Sequence, residues 1–135
     1  MKIVRNVLAV ILGFFIGSSV NMGIIMYGPS IITLPEVIDP SDMDSLVANM
    51  HLFEPKHFIT PFLAHALGTL LGALLAALIS ANNHFKFSMG IAIFFLFGGI
   101  YSAYLLPAPE WFIIVDLLVA YLPMGYLGWK LGSGK

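Results

Sequence analysis

Asp116 is the one acidic residue inside a long apolar run of this chain, a setting in which a carboxylate is costly to bury. The run extends from about 111 to 129, close to the ~20 residues that cross the hydrocarbon core of a bilayer. An ionisable group in such a run calls for a partner or a purpose. We expect Asp116 either to hydrogen-bond a neighbouring helix and fix its packing, or to handle a proton, an ion or a ligand.

Other apolar runs bring polar side chains to a similar depth. His65 lies roughly one helical turn into the second run, and Asn21 lies roughly two turns from the end of the first. Tyr101, Ser102 and Tyr104 occupy the corresponding end of the third run. The sequence therefore predicts one ligand-binding site formed by Asn21, His65, Tyr101, Tyr104 and Asp116. Because the opposite halves of the runs are almost wholly apolar, a blind cavity fits better than a pore, which needs polar lining throughout.

A second group of candidate ligands, His51, Glu54 and His57, precedes the second run. Imidazole and carboxylate suit divalent metals such as zinc, iron, nickel or oxidised copper. With the candidates inside the runs, the potential ligands are His51, Glu54, His57, His65 and Asp116. The spacing matches no recognised zinc motif. The alternative is a solvated loop in which Lys56 pairs with Glu54.

Methionines fall on the same side of the chain, at Met22, Met26, Met43 and Met50. Thioethers hold reduced copper. Methionine is also an ordinary gap-filler in cores and interfaces, so the pattern leaves both interpretations open.

The composition is that of a membrane protein. The 135 residues are 59% hydrophobic and 10% charged, with a mean hydropathy of +0.95. Too few polar side chains are present to cover a soluble domain. The absence of cysteine excludes disulfides and thiol catalysis. Without a basic stripe, nucleic acid is not an expected partner.

Four apolar runs divide the chain, which we treat as a single domain. The predicted spans cover about 3–27, 61–81, 87–106 and 111–129. Short connections between the last three spans require neighbours to run antiparallel. The expected fold is therefore an all-α membrane protein, an antiparallel four-helix transmembrane bundle. Pro123 leaves the carbonyl of Val119 without its usual donor, which predicts a bend in the fourth span.

Charges between the runs are segregated by sign. One set of ends carries Lys2, Arg5, Lys86, Lys130 and Lys135. The other set carries Glu36, Asp39, Asp42, Asp44, Glu54 and Glu110, with Lys56 as the exception. Retained Lys and Arg mark the cytoplasmic side of membrane proteins. We therefore predict that both termini are cytoplasmic and that the lipid bilayer is the main partner.

The segment 28–60 is then extracytoplasmic, and it is too long to be a simple turn. Ser41 has the features of an N-cap, with acidic residues in the turn that follows. Apolar residues recur at helical spacing, at Met43, Leu46, Val47 and Met50. We predict a short amphipathic helix between the first two spans, lying on the outer membrane surface.

Small residues form a stripe down the second span, at Ala64, Gly68, Gly72, Ala76 and Ser80. The first span offers Gly13 and Gly17, and the last offers Gly128 and Gly132. Small residues let membrane helices approach closely. The stripe predicts packing within the chain or, through Gly68 and Gly72, contact with a second copy or a larger membrane complex.

Several segments carry a family resemblance: His51-Leu-Phe-Glu-Pro-Lys-His57, Pro61-Phe-Leu-Ala-His-Ala-Leu-Gly-Thr69, Pro107-Ala-Pro-Glu-Trp-Phe112, Asp116, Ala120-Tyr121 and Pro123-Met124-Gly125. Together they resemble a family of small four-span bacterial membrane proteins to which no activity is assigned. The resemblance implies a bacterial inner-membrane location. The small multidrug-resistance exporters share the length and span count, but they depend on a glutamate in the first span, where this chain has Asn21.

Three classes of function fit these features. A binding or transport protein would use Asp116 and His65 to handle a proton, a cation or a small polar solute, and this is our leading prediction. A membrane metalloenzyme would use the His, Glu and Asp residues with a divalent metal. An accessory or assembly subunit would dock a larger complex through its glycine faces. The sequence has no phosphate loop, nucleophile elbow or catalytic triad motif, which weighs against an enzyme.

Overall fold

Four long apolar helices pack together in the computed structural model, which describes residues 1–133. They are α1 (Lys2–Tyr27), α3 (Ile59–Ile79), α4 (His84–Leu105) and a fourth helix in two parts, α5 (Glu110–Val119) and α6 (Leu122–Gly132). The long connection contains α2 (Met43–Asn49) and 3-10 turns at Gly28–Ser30, Met50–Leu52 and Pro55–Phe58. Each long helix is apolar enough to cross a membrane by length and composition, so the prediction of four packed apolar helices is confirmed.

The helix boundaries differ from the predicted spans by up to three residues, at starts and at ends. α3 begins at Ile59 and not at Pro61, because the 3-10 turn Pro55–Phe58 runs directly into it. α4 begins at His84, after Asn83 turns the chain with a left-handed backbone at φ 51°. Asparagine tolerates that conformation better than most residues. Lys135, one of the charges used to predict orientation, lies outside the described residues.

Glycines bring α1 and α3 together. A β-carbon on Gly13 would lie 2.8 Å from the carbonyl oxygen of Gly72, and one on Gly17 would lie 2.7 Å from that of Gly68. The reverse contacts, from Gly68 to Gly17 and from Gly72 to Gly13, are equally tight at 2.8 and 2.7 Å. The two backbones therefore touch directly and gain dispersion contacts that larger side chains would prevent. The small-residue stripe of α3 packs within the chain, against α1.

α6 and α4 pack on other parts of α3. A β-carbon on Gly128 would lie 2.7 Å from the β-carbon of Ala73, and one on Gly132 would lie 2.7 Å from that of Ala77. The buried hydroxyl of Ser88 on α4 donates to the carbonyl of Ala73 at 2.9 Å. α3 is therefore the central helix, in contact with α1, α4 and α6.

The fourth helix is interrupted at Ala120 and Tyr121. Its first half ends with a hydrogen bond that the N–H of Ala120 donates to the carbonyl oxygen of Asp116 at 2.9 Å. Pro123 has no N–H to offer Val119, and the bend that it predicts is present as a full break just before the proline. Ala120 is 0% and Tyr121 3% exposed, so the break lies inside the bundle.

The long connection packs on one end of the bundle, which we call the loop end. Met50, Phe58 and Phe112 form a buried apolar cluster there, with Leu46 and Phe53 packed around it. The ring centroids of Phe58 and Phe112 are 4.6 Å apart, a distance typical of favourable aromatic pairs. The cluster joins the connection to α3 and α5.

A short helix is present in the connection, as α2, where the sequence predicts one. Its N-cap is Asp42, whose side chain accepts from the N–H of Asp44 at 3.1 Å. Ser41, the predicted N-cap, instead donates its hydroxyl to the carboxylate of Asp39 at 2.6 Å. The cap is thus displaced by one residue, because both side chains can accept from the first helical turn and only one can occupy the cap.

Polar side chains of α1 hold the opposite end of the bundle. The Nε of Arg5 donates to the carbonyl of Ile79 at 3.1 Å, and its Nη2 to that of Ser80 at 3.4 Å. The Oδ1 of Asn6 accepts from the N–H of Ala81 at 2.8 Å. The last carbonyls of a helix have no partner within it, and a cation there also suits the helix dipole. α1 thereby caps α3.

Candidate functional site

The carboxylate of Asp116 is bound by the imidazole of His65. The Nδ1 of His65 lies 2.8 Å from Oδ1 and 3.0 Å from Oδ2 of Asp116. Asp116 is only 4% exposed, and burial of a carboxylate is tolerated when it is paired in this way. Two residues singled out by their depth in separate spans are therefore in direct contact.

The sequence of α5 carries the carboxylate inward. Phe112, Asp116 and Ala120 recur every four residues, and all are buried. Residues four apart share one face of a helix, so these side chains all face the rest of the bundle. The contact of Phe112 with Phe58 anchors that face one turn before Asp116. α3 supplies His65 in its second turn.

Tyr121 completes the surroundings of the pair. Its ring is stacked on that of His65, with centroids 5.7 Å apart and an interplanar angle of 25°. Its hydroxyl donates toward the Oδ2 of Asp116 at 3.5 Å, which is long for a hydrogen bond. In a continuous helix, residues five apart would point roughly 140° away from each other. The break in the fourth helix is what brings Tyr121 back to Asp116.

The geometry fixes which nitrogen of neutral His65 carries the hydrogen. Nδ1 faces the carboxylate of Asp116, which can only accept when it is ionised, so in that state the N–H of neutral His65 is on Nδ1. Nε2 receives no hydrogen bond from any group within residues 1–133. The pair carries one negative charge when the imidazole is neutral and none when it is protonated. It can therefore take up one positive charge, from a proton or from a cation.

Asp116 and His65 line a cavity of about 450 Å³ at the loop end, which we call the outer cavity. Residues of α1, α2, α3, α4 and α5 contribute to its wall. Asn21, Ser102 and His57 add polar groups, and most other lining side chains are apolar. Cavities of this size, with a few convergent polar groups in an apolar wall, are typical of small-molecule sites.

A smaller cavity of about 180 Å³, the inner chamber, adjoins the outer cavity. The two share Asn21, His65, Gly99 and Ser102. Thr69 and Tyr121 also line the inner chamber, and the hydroxyl of Thr69 has no hydrogen-bond partner within residues 1–133 although the residue is 1% exposed. Unpaired buried hydroxyls are rare. This one marks the chamber as suited to a polar occupant.

The loop end is acidic. It carries Glu36, Asp39, Asp42, Asp44, Glu54 and Glu110. Lys56, the one basic residue among them, lies 3.5 Å from the carboxylate of Glu54 in an exposed ion pair. Hydrogen bonds from the hydroxyl and N–H of Ser41 lower the pKa of Asp39, which keeps that carboxylate charged. The summed field at this end attracts cations.

Tyr101 and Tyr104 lie outside both cavities, although their depth in the third run predicts them at the site. They are 63% and 85% exposed and line neither cavity. α4 presents Gly99 and Ser102 to the cavities instead. Because residues three apart share a face of a helix, the face holding Gly99 and Ser102 leaves both tyrosines directed outward. Asn21, His65 and Asp116 line the same cavity.

Thr69 and Tyr121 also lie at the site, although the sequence analysis does not predict them there. Thr69 follows His65 by four residues, so its place on the same face was readable from the spacing. Tyr121 follows Asp116 by five residues, and only the break in the helix brings the two together. No local sequence pattern predicts that contact.

His51, Glu54 and His57 do not converge on a common point. Within the described chain, no group of three or more His, Asp or Glu side chains is placed to hold a metal. The Nδ1 of His57 instead accepts from the N–H of Glu54 at 2.8 Å, and Glu54 caps the same turn and pairs with Lys56. His51 is exposed. The Lys56–Glu54 pair matches the predicted alternative, but the loop is not fully solvated, because His57 is only 5% exposed.

No protein-family model, curated protein or solved structure matches this chain. The resemblance to small four-span bacterial membrane proteins stays a prediction. Function is therefore inferred from the Asp116–His65 pair, the two cavities and the charges around them.

Proposed function

We propose that this chain is a multi-pass protein of a bacterial inner membrane that binds a cation or small polar solute from outside and exchanges a bound cation for a proton. The outward faces of its helices support the membrane setting, since side chains such as Phe15, Phe97 and Leu118 are 60%, 65% and 68% exposed. Soluble monomers rarely expose so much contiguous apolar surface.

The proposed orientation is an antiparallel bundle with both termini in the cytoplasm. The contact of Arg5 with the end of α3 supports the opposite direction of α1 and α3. The clustering of acidic residues at the loop end and of Lys2, Arg5, Lys86 and Lys130 at the other supports the assignment of sides. On this assignment the outer cavity opens to the outside.

The observation that carries the proposal is the buried Asp116–His65 pair in the wall of the outer cavity. With a neutral imidazole the pair is one negative charge in a low-dielectric setting, where an unneutralised charge is costly. A cation that reaches Asp116 neutralises it, and so does a proton on His65. Proton and cation therefore compete for the pair, and binding of one releases the other.

The other polar groups around the Asp116–His65 pair do not take part in this competition. α1 and α4 face it with the neutral side chains of Asn21 and Ser102. Tyr121 is stacked on His65, and His57 lines the outer cavity with its Nδ1 already engaged by Glu54. His57 is thus the one other imidazole within the described outer cavity, and it serves as a control position.

The break in the fourth helix supports transport as well as binding. Interrupted helices beside a binding site are a recurrent feature of membrane transporters, because the free backbone ends allow the halves to move. Here Ala120 and Tyr121 separate α5 from α6 immediately after Asp116. Beyond the inner chamber, glycine contacts close the bundle, so passage requires a movement of these helices.

Methylammonium tests the proposal, because it is a small cation that also donates hydrogen bonds. In detergent at pH 7.5, methylammonium chloride should raise the melting temperature more than potassium chloride at equal ionic strength. The gain should shrink as the pH falls, because protons then occupy the pair.

Matched variants locate the effect. Asp116→Asn should abolish the gain, whereas Glu110→Gln, which removes an exposed carboxylate from the same helix, should keep it. His57→Gln should leave the pH dependence unchanged. An equal methylammonium gain in Asp116→Asn and in the unchanged protein would contradict the proposal.

The other predicted functions gain no support from the described residues. The metalloenzyme lacks a converged ligand set, and the faces of Gly68 and Gly72 through which a complex was predicted are covered by α1. Both stay predictions.

A further inference from the structure

The walls of the outer cavity differ in character from its polar floor. Near the loop they are mainly apolar and include several flexible side chains, Met22, Met26, Met43, Leu46 and Met50. Methionine adapts its shape to varied apolar partners, as at binding surfaces that accept several ligands. A hydrated inorganic ion gains nothing from such walls. A ligand with an apolar body does.

The floor carries the charged and polar groups. Asp116, His65 and Asn21 lie there, with Ser102 beside the inner chamber. The carboxylate is the one ionised acidic group placed in the described wall of the cavity, and Nε2 of His65 is free of protein partners within residues 1–133. A protonated amine suits this floor, because its charge meets Asp116 and its remaining N–H groups meet neutral oxygens and nitrogens.

The size of the outer cavity and the negative charge around its mouth also favour a protonated amine. About 450 Å³ is far more than an inorganic cation needs and falls in the range that holds organic molecules. The acidic loop end raises the local concentration of cations at the mouth. Apolar walls, an anionic floor and an acidic approach together describe one chemical class.

We propose that the outer cavity binds an amphiphilic organic cation, with its protonated amine at the Asp116–His65 pair and its apolar body against the methionine-rich wall. The inference rests on the proposed function and names the ligand class of the same site. The inner chamber then takes the water or polar substituents that accompany the amine, with the Thr69 hydroxyl as a partner.

Three small probes separate the contributions of charge and apolar body. Methylammonium has the charge alone, 2-phenylethanol has the apolar body without the charge, and 2-phenylethylammonium has both. Binding is measured by calorimetry on protein in lipid nanodiscs, with empty nanodiscs subtracted to remove partitioning into lipid. 2-Phenylethylammonium should bind at least about ten-fold more tightly than either of the other two, since burial of a phenyl group is worth about that factor or more.

Two variants of α2 test the apolar wall without touching the pair. Met43 lines the cavity and Val47 does not, yet both are about half exposed on the same short helix. Met43→Gln should weaken 2-phenylethylammonium several-fold and leave methylammonium unchanged. Val47→Gln should change neither. Asp116→Asn should remove the advantage of 2-phenylethylammonium over 2-phenylethanol, and His65→Gln should reduce it if Asp116→Asn does not fold.

The outcomes separate this inference from the proposed function. If methylammonium binds in an Asp116-dependent way and 2-phenylethylammonium binds no more tightly, the ligand class is wrong and the proposed function stands. If 2-phenylethanol binds as tightly as the amine, the site selects for apolar bodies and the cation is wrong. If neither amine binds, both proposals fail.

Discussion

Asp116 and His65 depend on each other, because each removes the main cost of burying the other. Asp116→Asn and His65→Ala should each destabilise the protein by about 3 kcal/mol, since either leaves an uncompensated polar group inside the bundle. The double variant should be less destabilised than the sum of the two, with a coupling of about 1–3 kcal/mol. Reversible unfolding in mixed micelles measures all three free energies. Simple additivity would show that the two side chains act independently.

Thr69 and Ser88 are both fully buried hydroxyls, and only one of them has a partner. The hydroxyl of Ser88 donates to the carbonyl of Ala73, and that of Thr69 has no partner in the described part of the chain. Ser88→Ala should therefore lower the free energy of unfolding by about 1 kcal/mol. In protein without a bound amine, Thr69→Val, which keeps the shape, should leave the free energy of unfolding unchanged or raise it slightly. A larger loss for Thr69→Val than for Ser88→Ala would show that a polar occupant of the inner chamber holds the Thr69 hydroxyl.

At the scale of helices, the crossing of α1 and α3 leaves no room for side chains. A β-carbon on Gly68 or Gly72 already meets a carbonyl oxygen, so Gly68→Leu and Gly72→Leu should each destabilise the bundle by at least about 3 kcal/mol. Leu78→Ala, at a 54% exposed position on the same helix, is the matched control and should cost much less. Thermal melting in detergent gives the order. If both glycine variants melt at the same temperature as the unchanged protein, the crossing of α1 and α3 is not as tight as described.

The elements differ in how far the sequence predicts them. The four long helices follow from length and hydropathy alone, and the stripe that begins at Ala64 follows from small residues at a spacing of four. The partner of the stripe, α1, was not predictable, because any helix with small residues can fill such a groove. The contact of Asp116 with His65 was suggested by depth, but depth does not fix the direction of a side chain around a helix. Depth alone therefore predicts Tyr101 and Tyr104 at the site and does not predict Tyr121.

At the scale of the molecule, orientation in the membrane can be measured directly. The chain has no cysteine, so single-cysteine variants label without background. Val47→Cys at the loop end should react with an impermeant maleimide added outside intact cells, and Lys86→Cys, at the other end, should react only after the membrane is opened. Both positions are exposed. Labelling of Val47→Cys only after the membrane is opened would reverse the proposed sides.

The cap that Arg5 and Asn6 place on the end of α3 also bears on how the protein is made. Their partners are 74 to 76 residues further along the chain. During synthesis, α1 leaves the ribosome long before Ile79, Ser80 and Ala81 exist. α1 therefore exists with its glycine face uncovered until Gly68 and Gly72 of α3 have been made. A chain arrested before residue 68 is the form in which a chaperone or insertase would find that face open.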